Sequence, residues 1–229
     1  MSDPTRQILL DIIRHGEPEG GEILRGRVDP RLTDRGWQQM RHATGLLEPS
    51  ADNPGIRETH PQSPGWDVVI SSPLLRCSAF AQEVANSMGK PEALRVDEQW
   101  VEIDYGDWDG MPLDEWRVVA AEQFKAFRED LNALRPPNGE AYVDFRDRVL
   151  AAWQELARLP DGSHALLVTH GGVMRVLLPT VLGMPLNASF PLHIPFAAIS
   201  RVRLQVRDEK ISATLLFHNG AEYPFAQRD

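Results

Sequence analysis

The chain is short of cysteine, of long apolar runs and of positive charge, and each shortage closes off a class of protein. Its 229 residues include one cysteine, Cys77, which excludes both an internal disulfide and a cysteine-rich zinc site and agrees with a reducing compartment. The longest apolar stretches, such as ALLVT at 165–169, fall well below the roughly 20 residues that a membrane-spanning helix needs. No membrane partner is therefore expected. Lysine and arginine number 24 against 33 aspartates and glutamates, a formal net charge of −9, and that balance argues against a nucleic-acid or anionic-membrane binder. The opening MSDPTRQILLDIIRHG has neither a basic leader nor a small-residue cleavage site, so the expectation is a cytoplasmic protein. An anionic substrate would have to be met by a local cluster of cations.

What is present reads as one α/β domain over residues 1–229, since 42% apolar and 25% charged residues are ordinary for a globular chain of this length. QILLDII (7–13) is a short, nearly continuous apolar run, as expected of a strand buried on both faces of a parallel sheet. Thr33 and Asp34 cap a helix in which Trp37, Met40, Ala43 and Leu47 recur at helical spacing. Residues 48–66, with four prolines and no periodicity, predict an exposed connection. DVVISS (67–72) is a second strand followed by a helix after Pro73, and LRVDEQW (94–100) is a weaker third. Helical stretches follow at about 113–131 and 140–158, broken by RPPNG. HALLVTHGGVMRVLLPTVLG repeats the opening theme of strand, histidine, glycine and helix, and the alternating segments around the DEK at 208–210 predict an antiparallel hairpin at the sheet edge.

Strands alternating with helices predict a three-layer α/β/α sandwich around a mostly parallel, mixed sheet, with ligands at the carboxyl ends of the strands. Three of those ends carry chemistry: Arg14 and His15 after the first strand, Arg76 after the second, and His170 after the strand at 165–168. One such residue commonly does no more than satisfy a carbonyl or an ion pair. Two arginines and two histidines at one sheet edge suit a phosphoryl group. Guanidinium forks match phosphate oxygens, and an imidazole can act as nucleophile near neutral pH.

RHGEP, VTHGG, SSPLLRC and WVEIDYGDWDG together resemble the histidine phosphatase superfamily, which contains the phosphoglycerate mutases and many phosphatases. GGEILRGRVDPRLTDRGWQQM, PPNGEAYVDFRDRV and THGGVMRVLLPTVLGMPL are similar to bacterial α-ribazole phosphatases of cobalamin biosynthesis. The resemblance covers most of residues 7–205 and implies a phosphoglycerate mutase-like fold and a phosphomonoesterase that needs neither cofactor nor metal. It makes His15 the nucleophile, Arg14, Arg76 and His170 the phosphate clamps with Gly171 beside them, and Glu102 the acid and base. The substrate it implies is a phosphorylated small molecule, α-ribazole 5′-phosphate or its cobamide-linked form, with a broad sugar or nucleotide phosphatase or a mutase-like enzyme as alternatives.

The chain departs from the family pattern where Gly20 and Gly21 stand in place of an expected asparagine, and Arg25 or Arg27 is positioned to substitute for it. No Arg-Arg pair lies between 107 and 137, so the carboxylate grip of the mutases is not evident. A cysteine phosphatase is excluded because Glu83, not arginine, follows Cys77 at the required spacing. DWDG at 107–110 resembles the motif of magnesium-dependent aspartyl phosphatases, but it does not follow an apolar strand. Asp104, Asp107 and Asp109 are rivals to Glu102. A phosphate-binding protein without catalysis is the remaining alternative, although all five site residues are present. The tryptophans are expected in the core, Tyr105 and Trp108 close to Glu102, and His193 at the rim.

Overall fold

A computed structural model describes residues 5–46 and 65–219. Strand β1 (Arg6–Arg14) lies centrally in a six-stranded sheet with the order β3-β2-β4-β1-β5-β6, where β2 is Val68–Ser71, β3 Leu94–Val96, β4 His164–Thr169, β5 Ile199–Arg207 and β6 Lys210–His218. The first four in that order run parallel, and β5 and β6 are antiparallel. Helices α1 (Asp34–Ala43) and α2 (Leu75–Ser87) cover one face; α5 (Tyr142–Glu155) and α6 (Gly171–Leu182) cover the other, with α3 (Leu113–Val119) and α4 (Ala121–Phe127) beyond them.

Alternation along β1 sends Ile8, Leu10 and Ile12 to the α5/α6 layer and Ile13 to the α1/α2 layer, where Met40, Phe80 and Val84 meet it. Where both faces are covered, at β2 (VVIS) and the middle of β4 (ALLV), the strands are almost wholly apolar and buried. Thr33 begins α1 as expected, its hydroxyl accepting the Gly36 N–H at 2.9 Å. No helix among the described residues is long and apolar enough to cross a membrane.

Three expectations need correction. The strand read at 94–100 stops at Val96, because the Asp97 carboxylate accepts the Gln99 N–H and turns the chain into a 3-10 segment. The helical stretch at 113–131 breaks into α3 and α4 at the buried Ala120, next to the exposed β-branched pair Val118 and Val119. The exposed connection at 48–66 lies mostly outside the described residues, but its last residue, Trp66, is buried at 2% exposure. The edge hairpin forms as read. Asp208 and Glu209 both take positive φ, 49° and 58°, the handedness that two-residue hairpin loops prefer.

Trp66 is held by the one carboxylate of β1. Asp11 is fully buried, accepts the Trp66 indole N–H at 2.9 Å, takes a forked pair of bonds from Arg201 at 2.6 and 2.8 Å, and lies 2.9 Å from His164 Nε2. It thus ties β1, β4, β5 and the entry to β2 together. Burial pushes the Asp11 carboxyl upward, but hydrogen bonds from Arg201 and His164 outweigh it, and the group ionises below the usual aspartate range. Asp11→Asn is expected to cost about 3–5 kcal/mol at pH 7, because it breaks a buried charge pair. A carboxyl with a lowered folded-state pKa stabilises above its unfolded value of about 3.9 and stops doing so as pH falls through the folded value. Urea unfolding of wild type and variant should therefore show a gap that is constant from pH 7 to 5 and narrows below pH 4; a gap unchanged at pH 2.5 contradicts the assignment.

Candidate active site

The parallel register of β1 and β4 pairs Arg14 with Thr169, so the residues that follow, His15 and His170, leave the sheet side by side. The His15 N–H donates to the Thr169 carbonyl at 2.9 Å, and the two rings lie edge to face with centroids 5.4 Å apart. His15 Nδ1 is 2.8 Å from the Gly16 carbonyl. A carbonyl can only accept, so Nδ1 carries the proton and the Nε2 lone pair is left available. Residue 16 has to be glycine, since a Cβ there would come within 2.2 Å of the Gly36 carbonyl at the start of α1.

Arginines surround these rings. Arg14 donates to the Ile194 carbonyl at 2.7 Å and stands 4.3 Å over the Phe196 ring. Arg76, fully buried in the first turn of α2, donates to the Val28 and Gly26 carbonyls at 2.8 Å each, with Asp29 at 3.5 Å. Arg25 donates to the carbonyls of Glu19, Gly21 and Ile23. In all three, the Nε is buried and has no acceptor among the described residues. Donors left in that state are costly, and a tetrahedral oxyanion would satisfy several together.

Glu102, at 6% exposure, approaches from the segment after the 98–100 turn. Its Oε2 accepts the Gly172 N–H at 2.9 Å and its Oε1 the Ile103 N–H at 3.1 Å. A Cβ on Gly172 would lie 2.1 Å from Oε1, and one on Gly171 would lie 3.3 Å from Arg14 Nε, so the two glycines let α6 approach both groups. His170 completes the set, with Nε2 at 2.7 Å from Ser72 Oγ and 3.6 Å from Cys77 Sγ. Cys77 is buried in α2, and burial keeps its thiol well above the ordinary range.

The electrostatics follow from burial among cations. Burial, then the charges of Arg76 and Arg14, hold His15 well below its usual pKa; burial and Arg76 do the same to His170. Burial pushes Glu102 upward against the two N–H bonds that would lower it, and lowers Arg14 to about 10. The site thus pairs neutral imidazoles with a carboxyl poised to hold a proton.

The two candidates in the glycine-bearing loop separate. Arg25 turns its Nε inward, whereas Arg27 is exposed and its backbone N–H serves Asp109. His193 is exposed, and its carbonyl accepts from His218. The rivals of Glu102 are engaged elsewhere: Asp104 accepts the Gly106 N–H and Asp107 the Asn138 amide. DWDG forms a 3-10 turn rather than a strand end. Two contributors escaped the sequence reading. Ser72 lies within SSPLLR, where no local signal marks it as the partner of His170. Asp109 looks in sequence like one more neighbouring acid, yet it accepts three successive N–H groups, of Gly26, Arg27 and Val28, at 2.6–2.7 Å. It thereby fixes the turn whose carbonyls hold Arg76.

Comparison with known proteins agrees with this architecture. The pattern of the histidine phosphatase superfamily (branch 1) matches residues 57–215. The bifunctional protein Rv2228c of Mycobacterium tuberculosis is 31% identical over 199 residues, which are 86% of this chain and 50% of that protein. The chain thus spans about half the length of that relative. The probable phosphoglycerate mutase GpmB of Yersinia pestis is 30% identical over 196 residues, 85% of this chain and 84% of its own. Among solved structures, the α-ribazole phosphatase of Shigella flexneri superposes with a TM-score of 0.68 at 25% identity, over 93% of this chain and 96% of its own.

Nitrogen-detected NMR should find both site imidazoles neutral at pH 6.5, with His15 as the Nδ1–H tautomer. A protonated imidazolium for either residue at that pH would contradict the geometry.

Proposed function

The chain belongs to the histidine phosphatase superfamily, and we propose that it is a phosphomonoesterase that forms a phosphohistidine on His15 and needs no metal ion. The observation that carries this reading is the set of three buried guanidinium Nε–H donors around an imidazole whose Nε2 lone pair is free. In this reading Arg14, Arg25, Arg76 and His170 hold the phosphoryl oxygens, Gly171 lets α6 close on them, and Arg27 stays at the rim. Their charge takes the place a metal would otherwise fill.

The reaction has two steps. The His15 Nε2 lone pair forms a bond to phosphorus, the bond from phosphorus to the ester oxygen breaks, and the Glu102 carboxyl gives its proton to the departing alkoxide. The Gly16 carbonyl meanwhile holds the Nδ1 proton of a ring that becomes cationic. Water then bonds to phosphorus as Glu102 takes one of its protons, the P–N bond breaks, and orthophosphate leaves with His15 restored. The raised pKa of Glu102 supports this double duty.

For the substrate we favour α-ribazole 5′-phosphate or its cobamide-linked form, supported by the mid-chain resemblance and by likeness to the Shigella flexneri enzyme. Hydrolysis is preferred over mutase activity because no Arg-Arg pair stands between 107 and 137. Purified protein should turn over α-ribazole 5′-phosphate well above common sugar phosphates, and the reverse ranking would remove that substrate.

Turnover of an aryl phosphate should persist in excess chelator and fall by several orders of magnitude in His15→Ala, as when a nucleophile is deleted. Loss of activity with chelator would bring back the metal-dependent alternative. Glu102→Gln should lower kcat/KM for alkyl phosphates by roughly 10²–10⁴ and spare it for aryl phosphates, whose leaving oxygen needs little protonation, while kcat falls for both because water still needs the base to attack phosphohistidine. With wild type, the rate on an alkyl phosphate should decline as pH rises through the elevated Glu102 pKa; a rate rising monotonically to pH 9 would assign the proton elsewhere.

A further inference from the structure

The two site imidazoles are tethered at opposite nitrogens. His15 spends Nδ1 on the Gly16 carbonyl, and His170 spends Nε2 on the Ser72 hydroxyl at 2.7 Å. A carbonyl only accepts, and so it fixes the His15 tautomer by itself. A hydroxyl both donates and accepts. The direction of its bond to His170 is decided by what else meets the serine oxygen.

Ser72 directly follows β2 and is fully buried, as is His170. Its Oγ accepts the Leu74 N–H at 3.3 Å, in the turn that leads into α2. That bond uses a lone pair and leaves the hydroxyl proton to be placed. Among the described residues, the one acceptor within hydrogen-bond distance of Ser72 Oγ is His170 Nε2. A buried hydroxyl proton without an acceptor is costly, so Ser72 donates and His170 Nε2 accepts. A neutral imidazole that accepts at one nitrogen carries its proton on the other. His170 therefore presents Nδ1–H.

That N–H meets no strong acceptor among the described residues. The Cys77 sulfur lies 3.8 Å from Nδ1 and 3.6 Å from Nε2. The two ring nitrogens point well apart, so a sulfur nearly equidistant from both is in line with neither. Its own S–H is directed to the Thr169 carbonyl at 3.4 Å. The guanidinium groups whose charge bears on the ring, Arg76, Arg14 and Arg27, are donors only. A tetrahedral oxyanion held among them, beside the His15 ring whose centroid is 5.4 Å away, is the acceptor that this proton lacks.

We infer that Ser72 is a positioning residue whose hydroxyl fixes His170 in the Nδ1–H form, so that this ring donates to a phosphoryl oxygen through Nδ1 while His15 attacks through Nε2. The inference rests on the phosphomonoesterase reading and is independent of which ester is the substrate. Without the hydroxyl, His170 is free to take the other tautomer. Its Nδ1 lone pair would then face the phosphoryl oxygens, and repulsion would replace a hydrogen bond.

Nitrogen-detected NMR of the free protein at pH 6.5 reads the tautomer directly. His170 should be the Nδ1–H form in wild type and gain the Nε2–H form in Ser72→Ala, and Ser72→Thr, which keeps the hydroxyl, should restore the wild-type pattern. In Ser72→Ala, kcat/KM for an aryl phosphate should fall by on the order of tenfold to a hundredfold, the range for a hydrogen bond to a charged group. In a His170→Ala background the same substitution should cost no more than about twofold, because the serine acts through that ring. An Nε2–H His170 in wild type overturns the inference before any variant is made. So does a loss in Ser72→Ala that is undiminished in the His170→Ala background, which would assign the serine to support of the turn into α2. Wild type that hydrolyses no phosphate ester removes the phosphomonoesterase reading, and the role of Ser72 with it, even where His170 is the Nδ1–H form.

Discussion

The pairing of Arg14 with Thr169 across two parallel strands is the constraint on which the site depends. Parallel strands in register end at the same level, so each chain that leaves the sheet there delivers its next residue to one spot. Here those residues are His15 and His170, and the ladder continues one step further through the His15 N–H on the Thr169 carbonyl. A register shift of one residue would turn every side chain of β1 to the opposite layer and send the Ile8, Leu10 and Ile12 face out of the α5/α6 core. The hydrophobic core therefore fixes the distance between the two imidazoles. Stability and chemistry are set by the same alternation.

Around that fixed pair the chain solves a charge problem. Its formal charge is −9, yet the site concentrates arginines, and carboxylates placed beside them would cancel the field a phosphate needs. The structure holds these arginines mainly by carbonyls. Arg14, Arg25 and Arg76 draw on Ile194, on Glu19, Gly21 and Ile23, and on Gly26 and Val28. A carbonyl fixes a guanidinium in direction without neutralising it. Asp109 acts one layer out, aligning the 26–28 turn through three N–H groups so that its carbonyls face Arg76.

Much of this was legible in the sequence because it rests on local signals. Short apolar runs ending in Arg-His or Thr-His mark strand ends, and the Thr33 cap and the breaker at RPPNG mark helix limits. The family resemblance then selected Glu102 from four neighbouring acids. What was not legible depends on distant partners. Trp66 sits at the end of a proline-rich stretch, and its burial depends on the Asp11 carboxylate, 55 positions away, and on the α1/α2-side core that it joins. Arg25 and Arg27 are two residues apart and equivalent by composition. They differ because Asp109 takes the backbone of one, while the other is folded back on the carbonyls of its own loop.

The same reasoning explains why the loop at 17–31 can lack the family asparagine. An asparagine would supply a neutral amide donor from the loop, and its geometry would depend on how the loop is held. Arg25 supplies a charged donor from the same loop, with its two terminal nitrogens spent on carbonyls at positions 19, 21 and 23. Gly20 and Gly21 make this possible. Both adopt positive φ, 90° and 70°, a conformation that glycine takes without strain. The loop therefore curls tightly enough for one guanidinium to reach three of its carbonyls. The glycines that stand where an amide was expected thus belong to the turn that leaves Arg25 Nε as a buried donor of the loop.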